Sequence, residues 1–518
     1  RRDLRELNVC SIDPPGCTDI DDALHAVELP NGNFQVGVHI ADVTNFVKPG
    51  MAMDVEAAHR STTVYLVDRR IDMLPELLGT NLCSLMSKVD RLAFSCMWEL
   101  DRDANIVSAT FYKSVIHSKA SFTYEEAQNR IDDPSINDPI TKSVRNLNML
   151  AKKLRQRRMD AGALTLSSPE VRFRLENDSQ DPVDVEMKAL KETNALVEEF
   201  MLLANISVAR KIYEHFPDSS LLRRHPEPPA QNFDNLQHAL KPLGIQLETG
   251  SSLALAQSLD RAVLSSDPYF NNLLRILTTR CMMQAQYFCS GTHTPEEFRH
   301  YGLATEIYTH FTSPIRRYSD VMVHRLLHAS IDRDADYGSV LTDKTKMNEQ
   351  CDVLNHRHRM AQQAGRSSVE LYTNLFFKGK TIEEPGYVTQ ILKNGFGVLI
   401  PSYGIEGVVY TTSKDAGAVP ALAYDQAAHA LVSPDDKQSI ALFQRVRVIL
   451  QVDDTPVSAN VSSMRRKLSL RLVEPQIAGL AVGADELAAL QAAAKPSASE
   501  ESKIVELVTK HPDQVHNV

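Results

Sequence analysis

Between positions 13 and 22 the chain reads Asp-Pro-Pro-Gly-Cys-Thr-Asp-Ile-Asp-Asp, which places four carboxylates within ten residues. Like charges crowded into so short a segment repel one another, and a fold accepts that cost only where a cation offsets it. Pro14, Pro15 and Gly16 form a turn that can bring Asp13 back beside Asp19. In an extended stretch Asp19 and Asp21 project to one side and Asp22 to the other. Hard oxygen donors favour magnesium or manganese over zinc. A solvated acidic loop, or a structural calcium site, would use the same residues.

The surrounding pattern sets this motif on a loop between strands. From Val9 to Val47 the residues alternate or run apolar, as in FQVGVHIADV, with Pro-Pro-Gly and Pro-Asn-Gly as turns. Helices are expected over 141–160, 186–215, 268–290, 314–331 and 345–374, where apolar residues recur at three and four. Near Lys378 the character changes: GYVTQILKNGFGVLIPSYGIEGVVY gives three short β-runs with an Asn394-Gly395 hairpin signal, and RVRVILQV and KLSLRLV complete five. The expected fold is α+β over 1–380, then a five-stranded OB-type barrel over 381–475, then an Ala-rich peripheral tail over 476–518.

A net charge of −10 argues against a protein that coats nucleic acid with its whole surface, so any such contact must be local, in a groove or channel. No apolar run approaches the roughly 18 residues of a membrane span, and the first residues lack the apolar core of a secretory signal. Seven scattered cysteines with no C-x-x-C pair read as reduced thiols. The chain opens without Met and runs at once into its richest motif, which suggests that domains of a longer protein lie upstream.

A second motif is His310-Phe-Thr-Ser313-Pro314-Ile-Arg316-Arg317-Tyr-Ser-Asp320. With Ser313 as N-cap and Pro314 as first helical residue, Arg316 and Arg317 fall in the first turn, where free N–H groups attract anions. Cations there disfavour the helix unless an anion joins them, and a bound phosphate resolves the conflict. Alternatively Asp320 pairs with Arg316 one turn away, which accounts for one arginine of the two. In the helix NALVEEFMLLAN, Asn194, Glu198 and Asn205 share a polar arc that faces either a wet cavity or bulk solvent. The basic runs 152–158 and 465–467 either meet phosphates or are solvated faces. Nothing in their periodicity marks out Tyr65 or Tyr124.

Taken together, DPPGCTDIDDA, GVHIADV, RSTTVYLVDRRIDMLPELL, SKASFTYEEAQ, GALTLSSPEVRF, ETNALVEEFMLLANISVA and HFTSPIRRYSD resemble the RNase II/RNB family, in that order. The wording is most similar to the branch that serves as exoribonuclease subunit of the eukaryotic RNA exosome. The resemblance implies a mixed sheet with surrounding helices and a central RNA channel, followed by an OB-fold RNA-binding domain. It implies processive hydrolysis of single-stranded RNA from the 3′ end to nucleoside 5′-monophosphates, in RNA processing and decay, with the exosome core as partner in nucleus, nucleolus and cytoplasm. It places Asp13, Asp19, Asp21 and Asp22 at a two-ion Mg2+ site, which Mn2+ can also fill, with Asp21 essential for turnover. Arg316 takes the position that holds the scissile-end phosphate, Tyr65 that of a stacking tyrosine, Tyr124 an aromatic of the RNA path and Glu198 a glutamate near the final nucleotides. Where some relatives supply a second stacking ring, this chain has Thr165-Leu166. A binding scaffold with a silent site, and a metal-dependent phosphatase or endonuclease, are the rival functions.

Overall fold

The computed structural model describes residues 1–167, 171–175, 182–187, 191–332, 334–335, 337–411, 422–426, 429–435, 437–456 and 464–493. They partition into two compact units. The first contains the described residues of 1–166, 189–234 and 246–367, and the second those of 167–188, 235–245 and 368–493.

The first unit is built on a seven-stranded mixed sheet. Its strands are β1 (Arg2–Asp3), β2 (Cys10–Asp13), β3 (Asp22–Glu28), β4 (Phe34–Ala41), β7 (Asp90–Leu100), β8 (Ile106–His117) and β9 (Ala120–Thr123), in the order β1-β8-β7-β4-β3-β2-β9. A separate small hairpin joins β5 (Val64–Tyr65) to β6 (Arg70–Ile71). The central strands β4 and β7 are buried along most of their length, which is why they read as near-continuous apolar runs.

Helices α1 (Ala52–Arg60), α2 (Tyr124–Asp132), α3 (Pro139–Asp160) and α4 (Glu192–His215) follow in chain order. α2 starts at a capping box, in which Thr123 Oγ1 accepts from the Glu126 amide at 3.2 Å and Glu126 accepts from the Thr123 amide at 2.7 Å. α4 buries Leu196, Val197, Phe200, Ala204, Val208 and Ile212, a stripe at helical spacing, in the same core as the sheet. The only tryptophan of the sequence, Trp98 on β7, donates to Ser207 of that helix at 3.1 Å.

Three expected helices are shorter than the pattern suggested, the third being 314–331, which begins at Tyr318. α4 begins at Glu192, because 186–187 belong to the hairpin of β10 (Val171–Leu175) and β11 (Pro182–Met187). After α5 (Asp234–Leu240) and α6 (Ser252–Arg261), helix α7 runs from Phe270 only to Cys281. The residues beyond it form β13 (Gln286–Cys289), paired antiparallel with β12 (Leu221–Arg224). α8 (Tyr318–Ile331) and the long α9 (Lys344–Phe377) follow, α9 having its residues up to Ser367 in the first unit and the rest, like most of α5, in the second.

One buried ion pair ties α1 to α8. Arg325 is 2% exposed and Asp54 6%. The guanidinium meets the carboxylate at 2.6 Å, and Asp54 also accepts from the Tyr318 hydroxyl at 2.8 Å. Asp54→Ala leaves a buried cation without its partner, and we expect a loss of about 3–5 kcal/mol of stability. Urea denaturation followed by circular dichroism measures it, and a loss below about 1 kcal/mol would contradict the pairing.

The second unit carries a five-stranded antiparallel sheet in the order β16-β15-β14-β20-β21. Its strands are β14 (Ile382–Leu392), β15 (Gly395–Ile400), β16 (Ile405–Tyr410), β20 (Arg445–Pro456) and β21 (Met464–Glu474). The sheet curls until its two edges meet. A side chain at Gly407 of β16 would lie 2.7 Å from Leu470 of β21, so any larger residue there must displace that leucine. This is the OB-type barrel that five β-runs implied. Its first hairpin turns at Lys393-Asn394, one residue before the expected Asn-Gly pair, with Leu392 opposite Gly395.

A small sheet of β17 (Ala423–Asp425), β18 (Ala430–Val432) and β19 (Ser439–Ile440) interrupts the barrel strands and had no counterpart in the reading of the sequence. Helix α10 (Ala484–Ala493) rests Leu487 and Leu490 against Ile449, Val473 and Val482. The first part of the tail is therefore packed, and 494–518 lie outside the described residues. Among the described residues no helix is long and apolar enough to cross a membrane.

Candidate active site

The acidic loop leaves β2 at Asp13 and enters β3 at Asp22. Gly16 takes φ +76°, and the Cys17 amide donates back to the Pro14 carbonyl at 3.2 Å, closing a turn that only glycine adopts without strain. Ser84 fastens the rest: its Oγ accepts the Ile20 amide at 3.1 Å and donates to the Thr18 carbonyl at 2.8 Å.

All four aspartates line one cavity of about 540 Å³, with Tyr65, Tyr124, Glu198 and Arg316 on its walls. The expectation that Asp22 faces away from Asp19 and Asp21 therefore fails. The chain turns between 13 and 22, and the alternation of an extended strand does not apply.

Asp21 is almost fully buried. It accepts the Ile315 amide at 3.0 Å on Oδ1 and Arg316 Nε at 3.2 Å on Oδ2. Burial pushes its pKa up to about 7 against the pull of the Arg316 charge. Burial likewise pushes Asp13 up to about 6, with the charge of Asp19 adding to it while Ser11 and Arg316 oppose. Asp22 is held well above the usual carboxylate range by burial and then by the charges of Asp13 and Asp21. Asp13 Oδ2 is buried with no hydrogen-bond partner. A buried unpaired oxygen among carboxylates that resist ionising together has the chemistry that hard cations take as donors. Among the described residues no three His, Cys, Asp or Glu side chains already converge on one point as a finished cage.

These shifts have a consequence for stability without cation. A carboxyl whose folded pKa lies above its unfolded value stabilises the fold fully below about pH 4 and loses that contribution as pH rises through the folded pKa. Asp22→Asn has no such loss. In chelator we expect the variant to match the parent near pH 4 and to melt higher near pH 8, by on the order of 2–4 °C. Thermal melts at the two pH values check this, and an equal or lower melting temperature at pH 8 counts against the repulsion.

The arginine motif departs from expectation. Residues 314–316 form a turn, with the Arg317 amide bonded to the Ser313 carbonyl at 3.0 Å, and α8 starts only at Tyr318. Arg317 is extended and bridges Thr62: the Thr63 amide donates to the Arg316 carbonyl at 3.0 Å and the Tyr318 amide to the Ser61 carbonyl at 2.8 Å. Pairing with that neighbouring segment overrides the local N-cap signal. Arg316 is therefore not in a first helical turn, and it is not the partner of Asp320. Asp320 instead takes a two-pronged bond from Arg317, at 2.8 and 2.9 Å, and accepts the Ser313 amide at 2.7 Å. Arg316 reaches Asp21 and donates to Ser313 Oγ at 3.0 Å.

The polar arc of α4 faces this cavity. Glu198 and Asn205 line it, and Asn205 is buried, holding the Phe311 amide at 2.7 Å and the Tyr308 hydroxyl at 3.1 Å. Asn194 bonds the Tyr124 side chain; burial, and then the charges of Asp22 and Asp13, push that phenol up to about 12. Tyr65 stands on the β5–β6 hairpin, 49% exposed. Thr165-Leu166 is not on the cavity wall, and the Thr165 carbonyl accepts from Arg275 at 2.7 Å. The basic run 152–158 is largely spent on in-chain partners: Arg158 pairs with buried Glu199 at 2.5 Å, Lys153 with Asp103 at 2.8 Å and Lys152 with Glu192 at 2.5 Å. The side chains of 465–467 lie outside the described residues. Arg70 and Tyr308 also line the cavity and were not singled out for it, because the partners that place them there, Asp19 and Asn205, are far off in sequence; Arg317, expected beside Arg316 at an anion, lines it while paired with Asp320.

Comparison with known proteins adds to this geometry. A family model described as RNB domain matches residues 1–333, and one described as S1 domain matches 382–465. The chain is 57% identical over 456 residues to the exosome complex exonuclease dis3 of Schizosaccharomyces pombe, covering 86% of this chain and 47% of that protein. It is 54% identical over 486 residues to the human exosome complex exonuclease RRP44, covering 94% of this chain and 50% of that one. The chain thus spans about half the length of the curated relatives it matches. Among solved structures, the apo form of Mycoplasma genitalium RNase R superposes with a TM-score of 0.77 at 25% identity, covering 88% of this chain and 70% of that one.

Proposed function

The chain belongs to the RNB family, and from that premise we propose that it is a magnesium-dependent hydrolase that shortens single-stranded RNA from the 3′ end, releasing nucleoside 5′-monophosphates. The observation that carries the reading is the cavity itself, in which the four aspartates, Tyr65, Tyr124, Glu198 and Arg316, from five separate segments, face a common space. The names of the relatives support a place as the exonuclease of an exosome complex; action in nucleus, nucleolus and cytoplasm is part of the proposal and rests on the family resemblance alone.

The residues divide the work as follows. Asp21 holds Arg316 through Nε and Ser313 holds it through Nη2, so that the guanidinium is fixed at the cavity wall before substrate arrives. A cation held there offsets charge that builds on a phosphate during displacement. The exposed ring of Tyr65 offers a face on which any base stacks, which suits digestion without regard to sequence. Glu198 is placed to accept from ribose hydroxyls, and such contacts favour RNA over DNA. Asp13, Asp19, Asp21 and Asp22 would hold two Mg2+ ions, or Mn2+ in their place, which supply an activated water and neutralise the departing oxygen when bound.

The test is incubation with 5′-labelled RNA and Mg2+, with and without chelator. Stepwise shortening that chelator stops is the expected result. Stable binding with no metal-dependent shortening would make the protein a binding scaffold, and cleavage of a circular RNA would make it an endonuclease.

A further inference from the structure

The acidic loop and the tyrosine hairpin are joined by one side chain. Arg70 lies directly opposite Tyr65 in the β5–β6 ladder. Its Nη1 bonds the Asp19 carboxylate, its Nη2 the Thr18 hydroxyl at 3.2 Å, and its Nε the Asp72 carboxylate at 3.0 Å. The guanidinium also forms part of the wall between the main cavity and a neighbouring hollow of about 390 Å³. Asp19 has Arg70 as its ion-pair partner, whereas Asp21 has Arg316.

We infer that Arg70 is a positioning residue that couples the seat of the terminal base to the metal-facing carboxylate, by holding the Tyr65 hairpin and Asp19 on one planar fork. This rests on the reading of the cavity as a 3′-end exoribonuclease site. The fork geometry matters as well as the charge. A guanidinium presents donors in fixed directions to two carboxylates at once, while an ammonium is a single point charge on a flexible stem. The charge has an effect of its own. A fixed cation beside Asp19 repels any second cation that shares this carboxylate, so Arg70 lowers affinity for divalent ions while keeping their ligand in place.

Three variants of the full chain separate these roles. Asp72→Asn takes the charge from the hairpin end of the bridge and leaves its Asp19 end intact. It should raise KM for RNA about 3- to 10-fold, with kcat and Mn2+ affinity near those of the parent. Arg70→Gln removes both ends and the charge, and should raise KM at least as much, lower kcat and tighten Mn2+ binding about 3- to 10-fold. Arg70→Lys keeps the charge without the fork, so its KM defect should persist while Mn2+ binds as in the parent.

Mn2+ binding alone is read by titration calorimetry on the protein without RNA, and a thermal melt of each variant accompanies it. A merely structural arginine would lower the melting temperature and Mn2+ affinity together in Arg70→Gln, and that outcome overturns the inference. A parent-like KM in Asp72→Asn overturns the hairpin half of it. Absence of any RNA shortening by the parent protein would instead sink the exoribonuclease reading, and the Mn2+ titrations would still decide the role of Arg70 toward Asp19.

Discussion

Asp21→Asn is expected to lower single-turnover cleavage of RNA by about a thousandfold while RNA affinity stays within about threefold of the parent. Asn has the shape of Asp and keeps an oxygen for the Ile315 amide, now 3.0 Å from Asp21 Oδ1. It loses the charge that holds Arg316 Nε at 3.2 Å and its share in the proposed cation site. In the proposed function, binding of the strand rests on surfaces that the substitution does not touch, among them Tyr65 and Glu198. The fold should tolerate the change, because burial already raises the Asp21 pKa to about 7. That contribution to stability is lost as pH climbs from about 4 through 7, and Asn is free of the loss. Quench-flow with end-labelled RNA and fluorescence anisotropy give the two numbers. A rate within tenfold of the parent would refute the assignment of Asp21, and a rate loss matched by an equal loss of affinity would make it a binding residue.

What could be read from the sequence followed the range of the forces involved. Strands β2 to β4, the long helices α3 and α9 and the five barrel strands arise from local periodicity, and their types were legible. Boundaries moved where a distant segment outcompeted the local signal. Ser313-Pro314 is a sound helix start, yet the neighbouring backbone at 61–63 pairs with 316–318 and delays α8 to Tyr318. The same limit governs the site. The aspartates announced themselves by crowding, because four like charges in ten residues have a cost that any reader of the chain can weigh. Arg70 and Tyr65 did not, since neither periodicity nor spacing marks an arginine whose two carboxylates lie one close in sequence and one 51 residues away. Resemblance named Tyr65, Tyr124, Glu198 and Arg316, and the fold brings all four to the walls of the cavity that holds the quartet. Asn205 shows why a polar stripe is ambiguous on paper: it is buried, and it serves to hold the arginine segment in place.

The second large effect expected concerns the two adjacent arginines, which the sequence presents as equivalents and the structure separates. Arg316→Ala should cut turnover about a hundred- to a thousandfold with little change in stability, because its guanidinium leans on Asp21 and Ser313 at the edge of an open cavity. Arg316→Lys should recover little of this, since an ammonium cannot bond Asp21 and Ser313 together and still face a phosphate. Arg317→Ala should do the reverse. Its fork is the counter-ion of fully buried Asp320, which also caps the Ser313 amide and accepts from Ser319 at 2.8 Å. Removing Arg317 strands a buried carboxylate, at a cost of about 3–5 kcal/mol, and any fall in turnover should follow the unfolded fraction. Urea denaturation and single-turnover rates measured on the same preparations distinguish the two. If Arg316→Ala unfolds the protein while Arg317→Ala leaves it stable but inactive, the roles are exchanged, and the cation that faces the phosphate is the one now assigned to the scaffold.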